Sequence, residues 1–511
     1  MFTDFTWSDW QDETNKIGFI PQIIDRYKSS KDFQVGLDAN AYFCGENTTI
    51  MQKVLMQPDV VKVKTEDGTK KNLTSKAVIG NRCSSDFLFR FIVQQNQFLL
   101  GNGVNLKDDE LKKKLGIGFD TRLQECGEDA LKHGVAWGYW NNDHIEVMAS
   151  VKDAYSGFVA LLDEMTSVPM VGIQFWQIAS NKPMGVRLFE QDGVTVLRYR
   201  GTGEDGSVMP EIVEKKRAYK FKVATDGVGK QVIDESNYAM LPVLPLYANP
   251  EHRSEFTPNI RSKIDAYDRI ASDFCDNLDR ANDVYWVLNN FGGGTDDVIE
   301  MIDTINKVKA VINQSNATGG GATAEPKTIE VPYAARQTAL DILRKSLYQD
   351  YMALDMDEIH GGSLTNVAIQ TATANMNLKA DRYEWQCFNF VQNLLKLIGV
   401  KGEDLENIRF NRRSVTNDTE TISNIYTMRD DVSREWALKA NPMVNPDEIE
   451  EIMKQRDAEE EKDAEKERKR QEEQKAQQAP VQQTNTEQVE QEEKGDNESG
   501  EASQGEKPVE E

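Results

Sequence analysis

Thr257-Pro258-Asn259-Ile260-Arg261-Ser262-Lys263-Ile264-Asp265-Ala266-Tyr267-Asp268 opens the stretch, Pro258 to Ile398, around which the chain is organised. Thr257 can cap a helix and Pro258 suits its first position, where a missing N–H costs nothing. Ile260, Ile264, Tyr267, Ala271, Phe274, Leu278, Ala281, Tyr285 and Leu288 then recur at three- and four-residue steps, the spacing of one helix face. The other faces carry Arg261, Lys263, Asp265, Asp268, Asp273, Asp276, Asp279 and Asp283. One apolar stripe is therefore expected to seek a partner, and a strongly acidic surface to face water. The pattern breaks at Phe291-Gly292-Gly293-Gly294 and again at Thr318-Gly319-Gly320-Gly321, with a short amphipathic segment (Val298 to Ile312) between them. A β-like tract, Thr328-Ile329-Glu330-Val331, leads to Pro332 and a second helix bearing Ala339, Leu340, Leu343, Leu347, Tyr351 and Leu354. Asp355-Met356-Asp357-Glu358-Ile359-His360-Gly361-Gly362-Ser363 interrupts it. Ser363 or Thr365 can cap a third helix that runs to Ile398 and stops at Gly399. At about 1.5 Å per residue that helix is on the order of 50 Å long. Its first half is small (Ala368, Thr371, Ala372, Thr373, Ala374) and suits close packing; its second half carries Tyr383, Trp385, Phe388, Phe390, Leu394, Leu395 and Leu397.

This order of helix, small insertion, helix, loop and long helix resembles the portal proteins of tailed bacteriophages, the head-to-tail connectors of the siphophage type. The resemblance implies an α+β, mainly α, portal-type fold, with a two-helix stem and a small α/β clip. It implies a wing over residues 1–257 with an antiparallel sheet at about 184–249, a first stem helix over 258–288 and a clip over 289–332. A second stem helix over 333–354, a channel loop over 355–363, a long wing helix over 364–400, a helical crown over 401–478 and a disordered acidic tail over 479–511 would follow.

Further segments in order carry the same resemblance. Ile17, Phe19, Ile20, Ile23, Ile24 and Tyr27 mark an amphipathic helix, followed by Leu37 to Asn47 with the aromatic pair Tyr42-Phe43 ahead of Gly45. Ser84 or Ser85 is placed to cap a helix with Phe87, Leu88, Phe91, Ile92 and Phe98 on its apolar side, ended by Gly101 and Gly103. Ala130 to Gly138 reads as a helix breaking into a strand. From Met184 to Asn249 the period shifts to two, with Asp192-Gly193 and Asp226-Gly227 as hairpin turns. Leu241-Pro242-Val243-Leu244-Pro245-Leu246-Tyr247-Ala248-Asn249 is similar to the family's proline-punctuated strand ahead of the stem. Ile408 to Arg412 looks like a strand, and Thr419-Glu420-Thr421-Ile422 opens a helix. Asn445-Pro446-Asp447-Glu448 starts another, with acids beside its positive end. Gln455 to Gln478 alternates acid and base without an apolar stripe, the pattern of a solvated single helix or of disorder. The start of the long helix departs from the family: Ser363-Leu364-Thr365 stands where a Ser-Gly or Ala-Ser-Gly is common.

Composition sets the limits. With 511 residues the chain exceeds one core's usual size, so two or more domains are expected. The start, Met1-Phe2-Thr3-Asp4, lacks a basic signal region, and no run of eighteen apolar residues occurs. The expectation is a soluble protein made in a cytosol, with no membrane partner. Five scattered cysteines (Cys44, Cys83, Cys126, Cys275, Cys387) without metal spacing read as reduced core thiols. The formal charge is −25, and 19 acids against 8 bases between Asp457 and Glu511 account for 11 of it. Such a charge argues against gripping nucleic acid; it suits both a conduit that repels a passing backbone and plain solubility.

No phosphate-loop, HExxH, GxSxG or metal-ligand pattern is present, so neither an enzyme nor a cofactor is expected. His133 has no acid or nucleophile beside it in a recognisable motif and is read as structural. What the resemblance implies instead is a homo-oligomeric ring, a dodecamer, at one capsid vertex of a virion assembled in the bacterial cytoplasm. Its channel passes double-stranded DNA without sequence readout during packaging by the terminase large subunit and during ejection. Its further partners would be head-completion or connector proteins, the major capsid protein and scaffolding proteins. The Gly361-Gly362 hinge would let the channel loop adjust to the duplex while Asp357 and Glu358 repel phosphate. Arg336, Arg344 and Lys345 would form a basic ring facing the lumen or salt bridges between subunits. Phe291 to Gly294 and Thr318 to Gly321 would frame the partner-binding clip. The competing reading is a helical assembly protein, a scaffold or adaptor, without a DNA channel.

Overall fold

The computed structural model describes residues 3–52, 60–64, 70–74, 80–202, 208–226, 229–281, 285–289, 323–327, 333–359, 366–412, 418–428, 431–445 and 448–477. It is mixed helix and sheet, in two compact units, Met1–Asn417 and Asp418–Glu511.

The first unit is built on a six-stranded antiparallel meander whose strands, from one edge, are Val208–Arg217, Gly193–Thr202, Met184–Glu190, Pro169–Trp176, Ser156–Leu162 and Val151–Asp153. The Asp192-Gly193 signal is met by a tight hairpin in which Gly193 pairs with Glu190. Side chains alternate between two cores. Phe158, Ala160, Phe189 and Val194 point into the main core. Val159, Leu161, Val171, Ile173, Phe175, Val186, Leu188 and Leu197 point to the opposite face. There the helix Lys16–Lys28 seals the sheet with Phe19, Ile20, Ile23, Ile24 and Tyr27, all buried. Full burial of such side chains contributes roughly 1.5–3 kcal/mol each, enough to dock a helix of low intrinsic stability.

The sheet region starts well before residue 184. Besides the strands from Val151 onward, a three-stranded sheet joins Val243–Tyr247, Val135–Asn141 and His144–Ala149. Its middle strand is buried almost throughout, so its sequence, Val-Ala-Trp-Gly-Tyr-Trp, shows no in–out alternation. Trp137 Nε1 donates to Ser150 Oγ (3.1 Å), and that hydroxyl donates to the Val135 carbonyl (2.7 Å), leaving no polar group of the trio unmatched. The helix Phe119–His133 feeds this strand through Gly134, at φ +88°, where an added Cβ would lie 2.8 Å from the His252 and Arg253 backbone. Only glycine meets both demands.

The long axis departs from expectation in its limits. The first helix spans Pro258–Ala281, its start marked by the Ile260 N–H donating to Thr257 Oγ1 at 3.3 Å. It does not continue to Leu288: Tyr285–Asn289 is a strand, antiparallel to Thr323–Lys327. The run of aromatic and branched residues from Val284 to Leu288 favours extended backbone over a further helical turn. The expected tract Thr328 to Val331 lies outside the described residues, as does the Val298 to Ile312 segment. The second helix spans Tyr333–Tyr351, three residues shorter than expected, and the third Asn366–Leu397. Ser363 and Thr365, the proposed caps, lie outside the described residues; Gly399, at φ +90°, follows the end as foreseen. Helix Phe87–Leu100 begins at Asp86 rather than by a serine cap hydrogen bond.

Strand Ile408–Phe410 pairs with Val104–Leu106, so the boundary expected at residue 401 falls inside the first unit. The second unit holds helices Asp418–Thr427, Arg434–Ala440 and Ile449–Gln477; the last is almost wholly exposed, the solvated single helix its alternating charges suggested. No helix among the described residues is long and apolar enough to cross a membrane. The cysteines are thiols, but only Cys126 and Cys387 are core residues; Cys44 is exposed and Cys83 and Cys275 are half-buried.

His133 is buried, with Nε2 2.9 Å from Asn40 Oδ1. Burial lowers its pKa to about 4, against the pull of Asp129 and with the help of Lys132. Because the folded value lies below the ordinary 6.5, the unfolded chain binds the proton first as pH falls. The stability from neutral His133 is complete above about pH 6.5 and lost toward pH 4, on the order of 3 kcal/mol in all. Urea unfolding of wild type and His133→Gln at pH 7 and pH 4.5 should show the wild type losing more stability over the interval. Equal losses would remove His133 from the acid response.

Candidate functional site

The two axial helices, Pro258–Ala281 and Tyr333–Tyr351, run antiparallel against each other. At one end Asn259 and Lys263 bind Asp350, and Lys263 Nζ donates to Ser346 Oγ (2.6 Å); toward the other, Phe274 meets Tyr333 with ring centroids 5.7 Å apart. The acidic face of the first helix does not stay in water. Asp265 accepts from Tyr42 Oη and from Thr49 Oγ1, Asp268 from Asn47 Nδ2 (2.7 Å), and Asp276 from the Asn81 backbone N–H (2.6 Å). Asp268 is 1% exposed, and burial raises its carboxyl pKa against the hydrogen bonds of Ser85 and Asn47. Arg261 pairs with Asp38 at 2.6 Å. This helix face is therefore a docking strip for residues 38–49 and 81–85, whose donors need acceptors and find them in these carboxylates.

The second helix ends at the root of the interrupting segment, and that root is held from every side. Met352 takes φ +63°, turning the chain, and the Ala353 N–H closes back on the Tyr348 carbonyl at 3.0 Å. Gln94, on helix Phe87–Leu100, clasps the next residue with both ends of its amide: Oε1 accepts the Leu354 N–H (3.1 Å) and Nε2 donates to the Leu354 carbonyl (3.0 Å). Its neighbour Gln95 accepts from Tyr351 Oη at 2.8 Å, and the Tyr351 ring stacks on Phe91 with centroids 4.5 Å apart. From the long helix, Lys379 Nζ donates to the Tyr351 carbonyl (2.9 Å), lies over the Tyr351 ring and pairs with Glu255 (2.8 Å). Burial lowers the Lys379 pKa while Glu255 opposes it. Leu354 itself joins Phe98, Met376 and Ala380 in a small apolar cluster.

Asp355 and Asp357 complete the anchorage. Arg344 Nη2 donates to Asp355 Oδ1 (2.7 Å) and to Asp357, and Asp355 Oδ1 also accepts the Asp357 N–H (3.1 Å) at the start of the short helix Met356–Ile359. Arg344 is thus committed within its own chain, which neither reading of it from sequence anticipated, and Asp357 is a paired carboxylate. Lys345 is exposed and Arg336 half-buried; neither forms an ion pair among the described residues. Met356 is exposed beside the cleft lined by Phe89, Arg90 and Tyr348, about 540 Å³ in volume. The side chains of Glu358 and Ile359, and all of His360, Gly361, Gly362 and Ser363, lie outside the described residues. So do Phe291, Gly292, Gly293, Gly294, Thr318, Gly319, Gly320 and Gly321. Among the described residues no cluster of metal-ligating side chains occurs.

Sequence reasoning missed Gln94, Gln95, Glu255 and Lys379. A polar Gln-Gln pair inside the apolar face of a helix was the available signal, since buried amides require partners.

The profile of the family described as phage portal protein, SPP1 Gp6-like, matches residues 75–463. A portal protein of Clostridium phage phiCD119 is 22% identical over 440 residues, covering 82% of this chain and 91% of that protein. A portal protein of Bacillus phage SPP1 is 27% identical over 237 residues, covering 43% of this chain and 45% of that protein.

The anchorage predicts a local effect. Arg344→Ala or Gln94→Ala strips partners from half-buried polar groups, at a cost of about 1–3 kcal/mol. Amide exchange at Leu354 and Asp357 should accelerate about tenfold or more, while the Lys16–Lys28 amides keep their rates. Uniform acceleration, or none, would show that the clasp does not hold the root.

Proposed function

The chain belongs to the SPP1 Gp6-like phage portal protein family, and from that premise we propose that its copies close into a ring around a channel for double-stranded DNA. The ring is a dodecamer at one capsid vertex of the virion. DNA enters through it under the terminase and leaves by the same route, and connector proteins dock on the glycine-bounded insertion after packaging. The protein acts mechanically; ATP hydrolysis belongs to the motor. The single observation that supports this most is the antiparallel helix pair ending in a segment anchored at its root by Gln94, Arg344 and Lys379. A channel loop needs such a root: the loop can yield to the duplex only if its base does not move with it.

Exposed apolar side chains on the axial helices fit the ring. Leu278, Tyr333 and Ile342 lie on the helix pair, and Leu378 and Trp385, seven residues apart, mark one side of the long helix. Ile342 is 61% and Trp385 65% exposed. In a closed ring, each subunit meets its neighbour through two different patches, and these residues suit that contact. Thr371, Ala372 and Ala374, also exposed, leave the backbone of the long helix approachable. Lumenal charge falls to residues without ion-pair partners among the described residues: Lys345 and Arg336 remain for that role, while Arg344 does not. DNA contact is steric and independent of base sequence. A scaffold or adaptor would have no use for the anchored root.

Negative-stain images and native mass spectrometry of the purified full chain should show a pierced ring wide enough for B-form DNA. A lone subunit under every condition would overturn the reading. Gly361→Ala combined with Gly362→Ala should leave the ring intact and lower the fraction of DNA-filled capsids; unimpaired filling would deprive the loop of its assigned task.

A further inference from the structure

Cys83 and Cys275 lie 192 residues apart in sequence, yet their sulfurs are 3.8 Å apart. Their approach is built by surrounding contacts. The Cys83 N–H donates to Ser272 Oγ (2.9 Å), one turn before Cys275 on the first axial helix. The Asn81 N–H and Asn81 Nδ2 both donate to Asp276 Oδ1, at 2.6 and 3.1 Å. Residues 81–83 are thereby laid along the helix, and the two thiols are brought face to face. Both are half-buried, so a small oxidant can reach them. The other thiols differ: Cys126 and Cys387 are fully buried, and burial raises the pKa of each, whereas Cys44 is exposed but has no sulfur partner recorded among the described residues.

We propose that Cys83 and Cys275 form a redox latch, a disulfide modification site that joins the segment ahead of helix Phe87–Leu100 to the first axial helix. In a reducing cytosol the pair stays as thiols while the chain folds and assembles. Outside it, a disulfide oxidant such as oxidised glutathione closes the latch. The thiolate of one cysteine attacks the oxidant's S–S bond and expels one glutathione thiol. The second thiolate then displaces the other glutathione and forms the Cys83–Cys275 bond. Two cysteine thiols are oxidised, one glutathione disulfide is reduced, and the two protons end on the two glutathione thiols. The sulfurs must approach from 3.8 Å to bonding distance, a movement of side-chain rotation scale. The bond closes a loop of about 190 residues in the unfolded chain, so stabilisation should be large.

The full chain, purified under reductant, would be incubated with oxidised glutathione and mapped by non-reducing proteolysis and mass spectrometry. The expected result is a single cross-linked peptide pair joining Cys83 to Cys275, lighter than the separate thiol peptides by two hydrogens. The melting temperature should rise by several degrees on oxidation, and Cys83→Ser and Cys275→Ser should each abolish the rise. Both peptides remaining as thiols after Cys44 has reacted would overturn the proposal, as would a cross-link through any other cysteine. The peptide map uses the wild-type chain, so it decides the matter whether or not the variants fold. A failed latch leaves the ring reading untouched, because ring closure is read by imaging under reductant.

Discussion

The side-chain amide of Gln94 satisfies both backbone groups of Leu354, and the arrangement of three helices depends on that clasp. A helix that ends in the interior leaves carbonyls and N–H groups without partners, and each carries a penalty if water is excluded. Here Tyr333–Tyr351 ends against helix Phe87–Leu100 on one side and the long helix on the other, so water cannot serve. Gln94 and Lys379 take its place for the backbone, each from a neighbouring helix, while Gln95 accepts from the Tyr351 hydroxyl. The same contacts that satisfy the helix end therefore set the positions of the helices that supply them. Lys379 could not remain charged there alone; Glu255 and the Tyr351 ring make its burial tolerable.

Charge has a different meaning in this fold from the one its total suggests. Asp265, Asp268 and Asp276 contribute to the −25 formal charge, yet each is spent as a hydrogen-bond acceptor for a segment far away in sequence. Asp355 and Asp357 are likewise tied to Arg344. The repulsive surface is smaller than the count of acids implies. The electrostatics of the proposed channel rest on the carboxylates left over, not on the composition.

Local signals were legible where one face of an element met one core. The Lys16–Lys28 helix, the Asp192-Gly193 hairpin, the Gly134 junction and the Gly399 stop all follow from spacing or from backbone freedom at one residue. Periodicity carried nothing where two cores met one element: Val135–Asn141 is covered on both sides, so the strand was read from the resemblance of Ala130 to Gly138 and not from alternation. It failed again at Ala281, where Tyr285 and Leu288 happened to fall on the helical stripe although the intervening residues favour a strand. Within the candidate site, the interruption after Leu354 was legible from its glycines and acids. Its anchorage was not, because Gln94 and Leu354 are 260 residues apart and nothing in periodicity reports on such a distance. Arg344 was singled out for its charge, and Asp357, one of the two carboxylates that pair with it, was read as repelling DNA phosphate instead.

The same distinction bears on what the paired helices leave exposed. Their inner contacts are saturated: Ile260, Ile264, Leu347 and Tyr351 are buried, and the polar groups facing the docking strip have partners. What remains outside is apolar, with Ile342 on the second helix and Leu378 and Trp385 on the long helix. Scattered singly, such residues would call for no explanation. They lie instead on helices whose buried sides already pack within the chain, and the small residues Thr371, Ala372 and Ala374 sit one to two turns from Leu378. The buried side of the same helix, with Tyr383, Cys387 and Phe390, belongs to this chain's own core, so a neighbouring copy would meet the opposite side. Closure of a ring would then add burial to a subunit whose loop root is already held by Gln94, Arg344 and Lys379 of its own chain, so that root would keep its geometry whether or not neighbours are present.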